Sequence, residues 1–113
     1  MIDSYSFGSM VIDGRRYTSD LIIYPDGRVQ DSWWREKGHR LSLSDIADLI
    51  AEKPALIIVG TGSSGMMEPD QDVPDALAQQ GIQFEALPTR QAVERYNHLS
   101  RARRTGACFH LTC

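Results

Sequence analysis

The sequence predicts one α/β domain of the α+β-like kind, with an N-terminal β-meander joined to a β-α-β-α-β half, a mixed sheet and about three helices. Three observations lead there. Two Asp-Gly turn signals punctuate the first third of the chain. The run "ALIIV", residues 55–59, is apolar without alternation, as a strand covered on both faces must be. Segments with apolar residues at helical spacing then separate the later strands. At 113 residues the chain is of single-domain size, so residues 1–113 are read as one domain.

The elements follow in order. In "VIDGRRY", Asp13-Gly14 tolerates the positive φ of a tight hairpin. In "IIYPDGRVQ", Pro25 presets a turn and Gly27 supplies the permissive backbone. The flanks, Tyr5 to Val11, Tyr17 to Tyr24 and Arg28 to Trp34, read as the strands of the meander. A first helix starts near Ser42 or Ser44, with Ser42-x-x-Asp45 resembling a capping arrangement. Leu43, Ile46, Ala47, Leu49 and Ile50 give it one apolar face, and Lys53-Pro54 stops it.

After the central strand, "DVPDALAQQG" reads as a short helix capped by Asp72 and ended by Gly81. "IQFEAL" returns as a strand. The last helix starts with Thr89 as N-cap and turns Ala92, Val93, Tyr96 and Leu99 inward. "GACFHLTC" closes as a strand, with Ala107, Phe109 and Leu111 on one face and Cys108, His110 and Thr112 on the other.

Composition excludes several classes of function. Hydrophobic residues make up 42% and charged residues 24%, which is globular composition. A net charge of -3 gives no reason to expect nucleic-acid binding. No run approaches the ~18 apolar residues of a membrane span, so direct membrane insertion is not expected. The start, "MIDSYSFGSMVIDGRRY", lacks a cationic segment followed by an apolar one, so no signal peptide is expected. With two cysteines, Cys108 and Cys113, the reading is reduced thiols in the cytoplasm.

The loop after the central strand carries the main functional question. Gly60, Gly62 and Gly65 spell G-x-G-x-x-G, the pattern that cradles a dinucleotide pyrophosphate. A strand precedes it, and Glu85 lies where a ribose-binding acid would sit. The mechanism fails, however, because "MMEPDQDV" separates Gly65 from Pro74, and Pro69 keeps any helix from opening at the glycines. No cofactor is therefore assigned. A tight strand exit is one reading of the loop. A small-anion nest built by the amides of Gly60, Thr61, Gly62, Ser63 and Ser64, with the hydroxyls of Thr61, Ser63 and Ser64, is another, in a ligand or partner loop that runs on through Gly65 to Met67. Met66 and Met67 add an adaptable apolar surface for a protein partner.

Two other constellations are candidates. Trp33 and Trp34 fall on opposite faces of a strand end, so one belongs to the core and the other either covers a sheet edge or, with Arg35, anchors an interface. Cys108-x-His110-x-x-Cys113 looks like three metal ligands, but it matches no common zinc module and a fourth ligand, His39 or His98, would have to come from elsewhere. No metal is assigned. A thiol nucleophile with His110 as base is an equally open alternative. No acid/base pair stands out, so an enzyme is not the expectation.

Taken together, "GSMVIDGRRYTSDLIIYPDGRVQDSWW", "LIIVGTGSSGMM", "LPTRQAVERYNHL" and "FHLTC" resemble the Mth-domain family of unknown function. That family includes the mitochondrial NADH:ubiquinone oxidoreductase complex assembly factor 3 and the adipogenesis-associated Mth-domain-containing protein. The resemblance implies a compact α/β domain with a β-rich start and a role through protein contact. It also implies hallmark positions at Gly60, Thr61, Gly62, Pro88, Thr89, Asn97, His110 and Cys113. The functional expectation is a non-enzymatic interaction or accessory factor using Gly60 to Met67 and Trp33-Trp34-Arg35. The alternative is a small anionic-ligand binder, or a cryptic enzyme, centred on Gly60 to Ser64. A homodimer through a sheet edge is compatible with either.

Overall fold

Gly8 takes a left-handed backbone, φ +79°, and there the expected strand from Tyr5 to Val11 folds back on itself. In the computed structural model, which describes residues 1–113, β1 (Ile2–Ser6), β2 (Ser9–Ile12) and β3 (Arg15–Tyr17) form a three-stranded antiparallel sheet. Asp13 and Gly14, both at positive φ, make its second turn. The meander ends at that point, contrary to the sequence reading. β4 (Leu21–Ile23) and β5 (Val29–Gln30) belong to a separate five-stranded sheet. The three residues of β4 are apolar in succession and all buried, which a sheet with one wet face does not accommodate. Ser32, at φ +54°, cuts short the strand expected to reach Trp34.

β6 (Arg40–Leu41) precedes a 3-10 turn, Leu43–Ile46, that runs into α1 (Ala47–Ala51). The Ser42 amide donates to the Asp45 carboxylate at 2.9 Å, which holds the start. β7 (Leu56–Thr61) is buried at every residue. β8 (Glu68–Pro69) pairs in parallel with β6, a small ladder that no sequence pattern announces. It lets Arg40 neutralise Glu68 and Asp70 of the acidic loop. α2 (Asp72–Gln79) is closed by Gly81 at φ +75°, with Gln71 rather than Asp72 at the cap position. β9 (Gln83–Leu87), α3 (Thr89–Leu99) and β10 (Thr105–His110) complete the chain.

The main sheet runs β5-β4-β10-β7-β9, parallel for β10, β7 and β9 and antiparallel beyond. Its two faces carry separate cores. Leu56, Ile58, Ala107, Phe109 and Leu111 pack with Tyr5, Met10, Ala92 and Tyr96, from the N-terminal sheet and α3. Ile57, Val59 and Cys108 pack with Trp33, Leu49, Met67, Val73 and Leu77, from the α1 and α2 side. The period of two along β7 and β10 therefore feeds both cores at once.

The strand connections decide where a site can form. From β7 the chain crosses by α2 to β9 on one side, then returns by α3 to β10 on the other. The direction of travel reverses between β7 and β10, at their carboxyl ends, where Thr61 lies opposite His110. Such a switch point is where open α/β sheets leave a crevice.

Candidate functional site

In this protein the crevice is filled by its own chain. Gly60 sits so close to its neighbours that a Cβ would fall 2.6 Å from Phe109 Cδ1 and 2.9 Å from Thr89 Oγ1. Gly62, at φ +108°, faces the Cys113 main chain, which a Cβ would overlap. The loop amides turn inward. Gly62 donates to Thr89 Oγ1 (2.8 Å), Ser63 to the Thr112 carbonyl (2.6 Å) and Gly65 to the Gly62 carbonyl (3.1 Å). Met66 and Met67 donate to the Cys113 and Thr61 carbonyls at 3.1 and 3.0 Å.

Of the anion nest expected at Gly60-Thr61-Gly62-Ser63-Ser64, the Gly62 and Ser63 amides are taken, by the Thr89 hydroxyl and the Thr112 carbonyl. The main surface depressions lie elsewhere. Close backbone approach requires the glycines at 60 and 62. Thr89, expected as a helix cap, sits inside the helix behind Pro88. Its buried hydroxyl donates to the His110 carbonyl at 2.6 Å and accepts from Gly62.

The apolar candidates separate into core and surface. Met67 and Trp33 are buried, and the Trp33 indole donates to the Asp45 carbonyl at 2.9 Å, so neither is an interface residue. Trp34 is 84% exposed and Met66 53%. Phe7, at the tip of the β1–β2 hairpin, is 62% exposed and carries no signal in a single sequence beyond its place in a turn.

Arg35 is also not the surface anchor expected of it. Its side chain is 5% exposed, and its guanidinium lies 4.7 Å from the Trp33 ring. Nε and Nη2 donate to the Gly38 carbonyl, and Nη1 donates to Asp20 Oδ2 at 2.9 Å. Asp20 in turn meets His110 Nδ1 at 2.8 Å and accepts from the Leu111 amide at 2.7 Å. Sequence reading missed this buried Asp20–His110–Arg35 cluster, because ninety positions separate its first two members.

The protonation of the cluster follows from its contacts. Burial pushes the Asp20 carboxyl up, but hydrogen bonds from His110, the Leu111 amide and Arg35, with the charge His110 carries when protonated, outweigh burial and hold it below the usual carboxylate range. An ionised Asp20 requires the proton on His110 Nδ1, with the Arg35 Nη2 group alongside at 3.1 Å. His110 Nε2 is then left buried without a partner, and the His39 ring stands edge-on at 5.8 Å.

No three His, Cys, Asp or Glu side chains converge in a geometry suited to a metal ion. Cys108 points into the core, where burial pushes its thiol up, while Cys113 is exposed. The hallmark positions are tied into the architecture. Asn97 pairs with both main-chain groups of Ile2 (2.9 and 2.8 Å) and completes the edge of β1. The Tyr5 hydroxyl donates to the Leu111 carbonyl at 2.9 Å.

The same fold occurs in solved structures. The conserved hypothetical protein PH1505 from Pyrococcus horikoshii OT3 superposes with a TM-score of 0.90 at 26% identity, covering 100% of this chain and 99% of that one. The protein MT938 gives 0.82 at 32% identity, covering 100% and 98%. An Mth938-like domain from Bordetella pertussis shares the fold at 18% identity with a TM-score of 0.65, covering 98% and 85%. No helix in the chain is long and apolar enough to cross a membrane. A family model described as a protein of unknown function, DUF498/DUF598, matches residues 2–110, and the chain therefore belongs to that family, whose Mth938-like fold it shares.

Proposed function

We propose that this domain is a non-enzymatic interaction or accessory module that binds a protein partner through the rim around Leu111–Cys113. The observation that supports this reading is the placement of three exposed apolar side chains from distant parts of the chain. Phe7 is bound in through Gly8, whose amide donates to the Leu111 carbonyl at 2.8 Å. Trp34 is next to Arg35, which is clamped on Asp20 and the Gly38 carbonyl. Met66 is fixed by its own amide on Cys113. Large hydrophobics exposed singly need no explanation, but three whose backbone or neighbours are tied to the end of β10 and the residues after it would suit a binding hot spot. The rings and the thioether offer contact area at low entropic cost.

The family resemblance supports action by contact, and the assembly role of one member extends here only as part of this proposal. The anionic-ligand alternative is weakened, because the Gly62 and Ser63 amides already hold Thr89 and Thr112. The test is capture with the purified domain as bait, comparing the unaltered chain with Trp34→Ser/Met66→Ser. A partner retained by the first and lost by the second, at equal melting temperature, supports the rim. Equal retention removes it, and a concentration-dependent dimer abolished by the double variant makes the partner a second copy of the chain.

A further inference from the structure

We propose that the outer edge of β9 adds an extended segment of a partner chain to the five-stranded sheet, a segment that alternates apolar and acidic side chains. β9 ends the order β5-β4-β10-β7-β9 and pairs only with β7. The Gln83 amide donates to the Ala55 carbonyl at 3.0 Å, on the β7 side. Successive residues of a strand turn their main-chain groups to opposite sides, so Glu85 and Leu87 also face β7. Phe84 and Ala86 therefore turn two N–H and two C=O groups outward, and no loop or side chain of this protein meets them. Such a row of groups matches the edge of another strand.

The other edges are guarded. β3 carries Arg15 and Arg16, β5 is two residues long, and Asn97 pairs with both main-chain groups of Ile2 on β1. Charge, shortness and cover are the ways in which native sheets avoid stray pairing. β9 has five residues in unbroken register with β7, with no Lys, no Pro and no bulge. Its one charge, Glu85, lies on the α3 face, where Arg95 Nε and Nη2 hold it at 2.9 and 2.8 Å.

The two faces of this edge select the side chains of the segment. Ile82 and Phe84 face α2, and with Pro74 and Ala78 they line a groove of about 620 Å³ beside the strand. It takes an apolar side chain from the residue opposite Phe84. On the α3 face both Glu85 oxygens are engaged by Arg95, but the Arg103 guanidinium donates only to the neutral Gln83 side chain. A carboxylate on the next residue of the segment, opposite Gln83, gives Arg103 the counter-charge it lacks. Neighbouring residues of a strand point to opposite faces, so the apolar and acidic positions alternate. A second copy of the chain fits less well. The antiparallel register in which two β9 edges meet all four outward groups sets Glu85 opposite Glu85, and like charges so placed repel. This edge shares no residue with the Phe7, Trp34 and Met66 rim and stands whether or not the rim binds a protein.

The test pans a random linear peptide library on the unaltered chain and follows the selected peptides by fluorescence anisotropy and amide hydrogen exchange. The expected peptides alternate apolar and acidic residues and slow exchange at Phe84 and Ala86, the two outward amides. Ala86→Pro removes one outward donor and no bond to β7, as edge positions tolerate, and should weaken binding about tenfold. Arg103→Gln should abolish the preference for glutamate over lysine in the same peptide. Trp34→Ser/Met66→Ser should bind as the unaltered chain does, which separates this edge from the rim. No enriched peptide, or peptides that leave exchange at Phe84 and Ala86 unchanged, overturns the proposal and needs no variant. Folded Ala86→Pro binding as tightly as the unaltered chain overturns it equally. A chain that sediments as a dimer with Phe84 and Ala86 already protected assigns the edge to a second copy and likewise overturns it.

Discussion

The Thr89 hydroxyl lies 2.6 Å from the His110 carbonyl oxygen, to which it donates while accepting from the Gly62 amide. One buried oxygen thereby ties the start of α3 to the ends of both β10 and β7. Thr89→Val keeps the shape and removes both hydrogen bonds, leaving a buried donor and a buried acceptor unpaired. It should cost about 3 kcal/mol by urea unfolding, whereas Thr89→Ser, which keeps the oxygen, should cost about 1 kcal/mol. Equal losses in the two variants would show that the methyl, not the hydroxyl, holds the junction.

Gly62 and Gly27 both sit at positive φ, but their surroundings differ. A Cβ at Gly27 meets nothing within 4 Å, whereas one at Gly62 overlaps the Cys113 main chain and approaches His110. Gly27→Ala should therefore cost about 1 kcal/mol, the backbone strain alone. Gly62→Ala should cost several-fold more or expel the 111–113 segment. Amide hydrogen exchange at Ser63 and Met66, whose donors face that segment, distinguishes those two outcomes.

Asp20 links the cluster to pH. A carboxyl held below its unfolded range stabilises the native state above that range, and this contribution is lost as pH falls through the lowered native value. Stability should therefore hold through neutral pH and decline below about pH 4. Asp20→Asn should flatten that part of the decline and cost about 3 kcal/mol near pH 7, because Arg35 is left buried without its counter-charge. An unchanged acid limb in the variant would mean that other carboxylates set it.

Adjacent tryptophans should behave as opposites. Trp33→Ala empties a site in the α1-side core and leaves the Asp45 carbonyl without its donor, at about 4 kcal/mol. Trp34→Ala should change stability by about 0.5 kcal/mol or less, since its ring is in water. A large loss at Trp34 would place it in the fold rather than on a binding face.

The contrast between those two residues shows which features the sequence reveals. Alternation along a strand is local, so the opposite fates of Trp33 and Trp34, and the division of Ala107 and Phe109 from Cys108, can be read from neighbouring letters. The continuous run in β7 announces a strand covered on both faces for the same reason. The Phe7-Gly8 turn escaped because Tyr5 to Val11 reads equally as one strand, until tertiary packing brings the Gly8 amide to Leu111. The glycine loop shows a different limit. Three glycines declare that the backbone must pass close to something, but not whether that something is a phosphate or the chain's own Thr112 and Cys113. Asp20 and His110 meet only because β4 and β10 are neighbours, a pairing that no spacing encodes.

The rim formed by Phe7, Trp34 and Met66 is the central claim, and site-specific cross-linking tests it most directly. A photoreactive phenylalanine analogue would replace Trp34 in one variant, Met66 in a second, and exposed Arg101, at the far end of α3, in a third. After illumination in native cells, the account predicts the same discrete cross-linked species from positions 34 and 66 and none from position 101. No adduct from 34 or 66, or an equal pattern from all three positions, would contradict it.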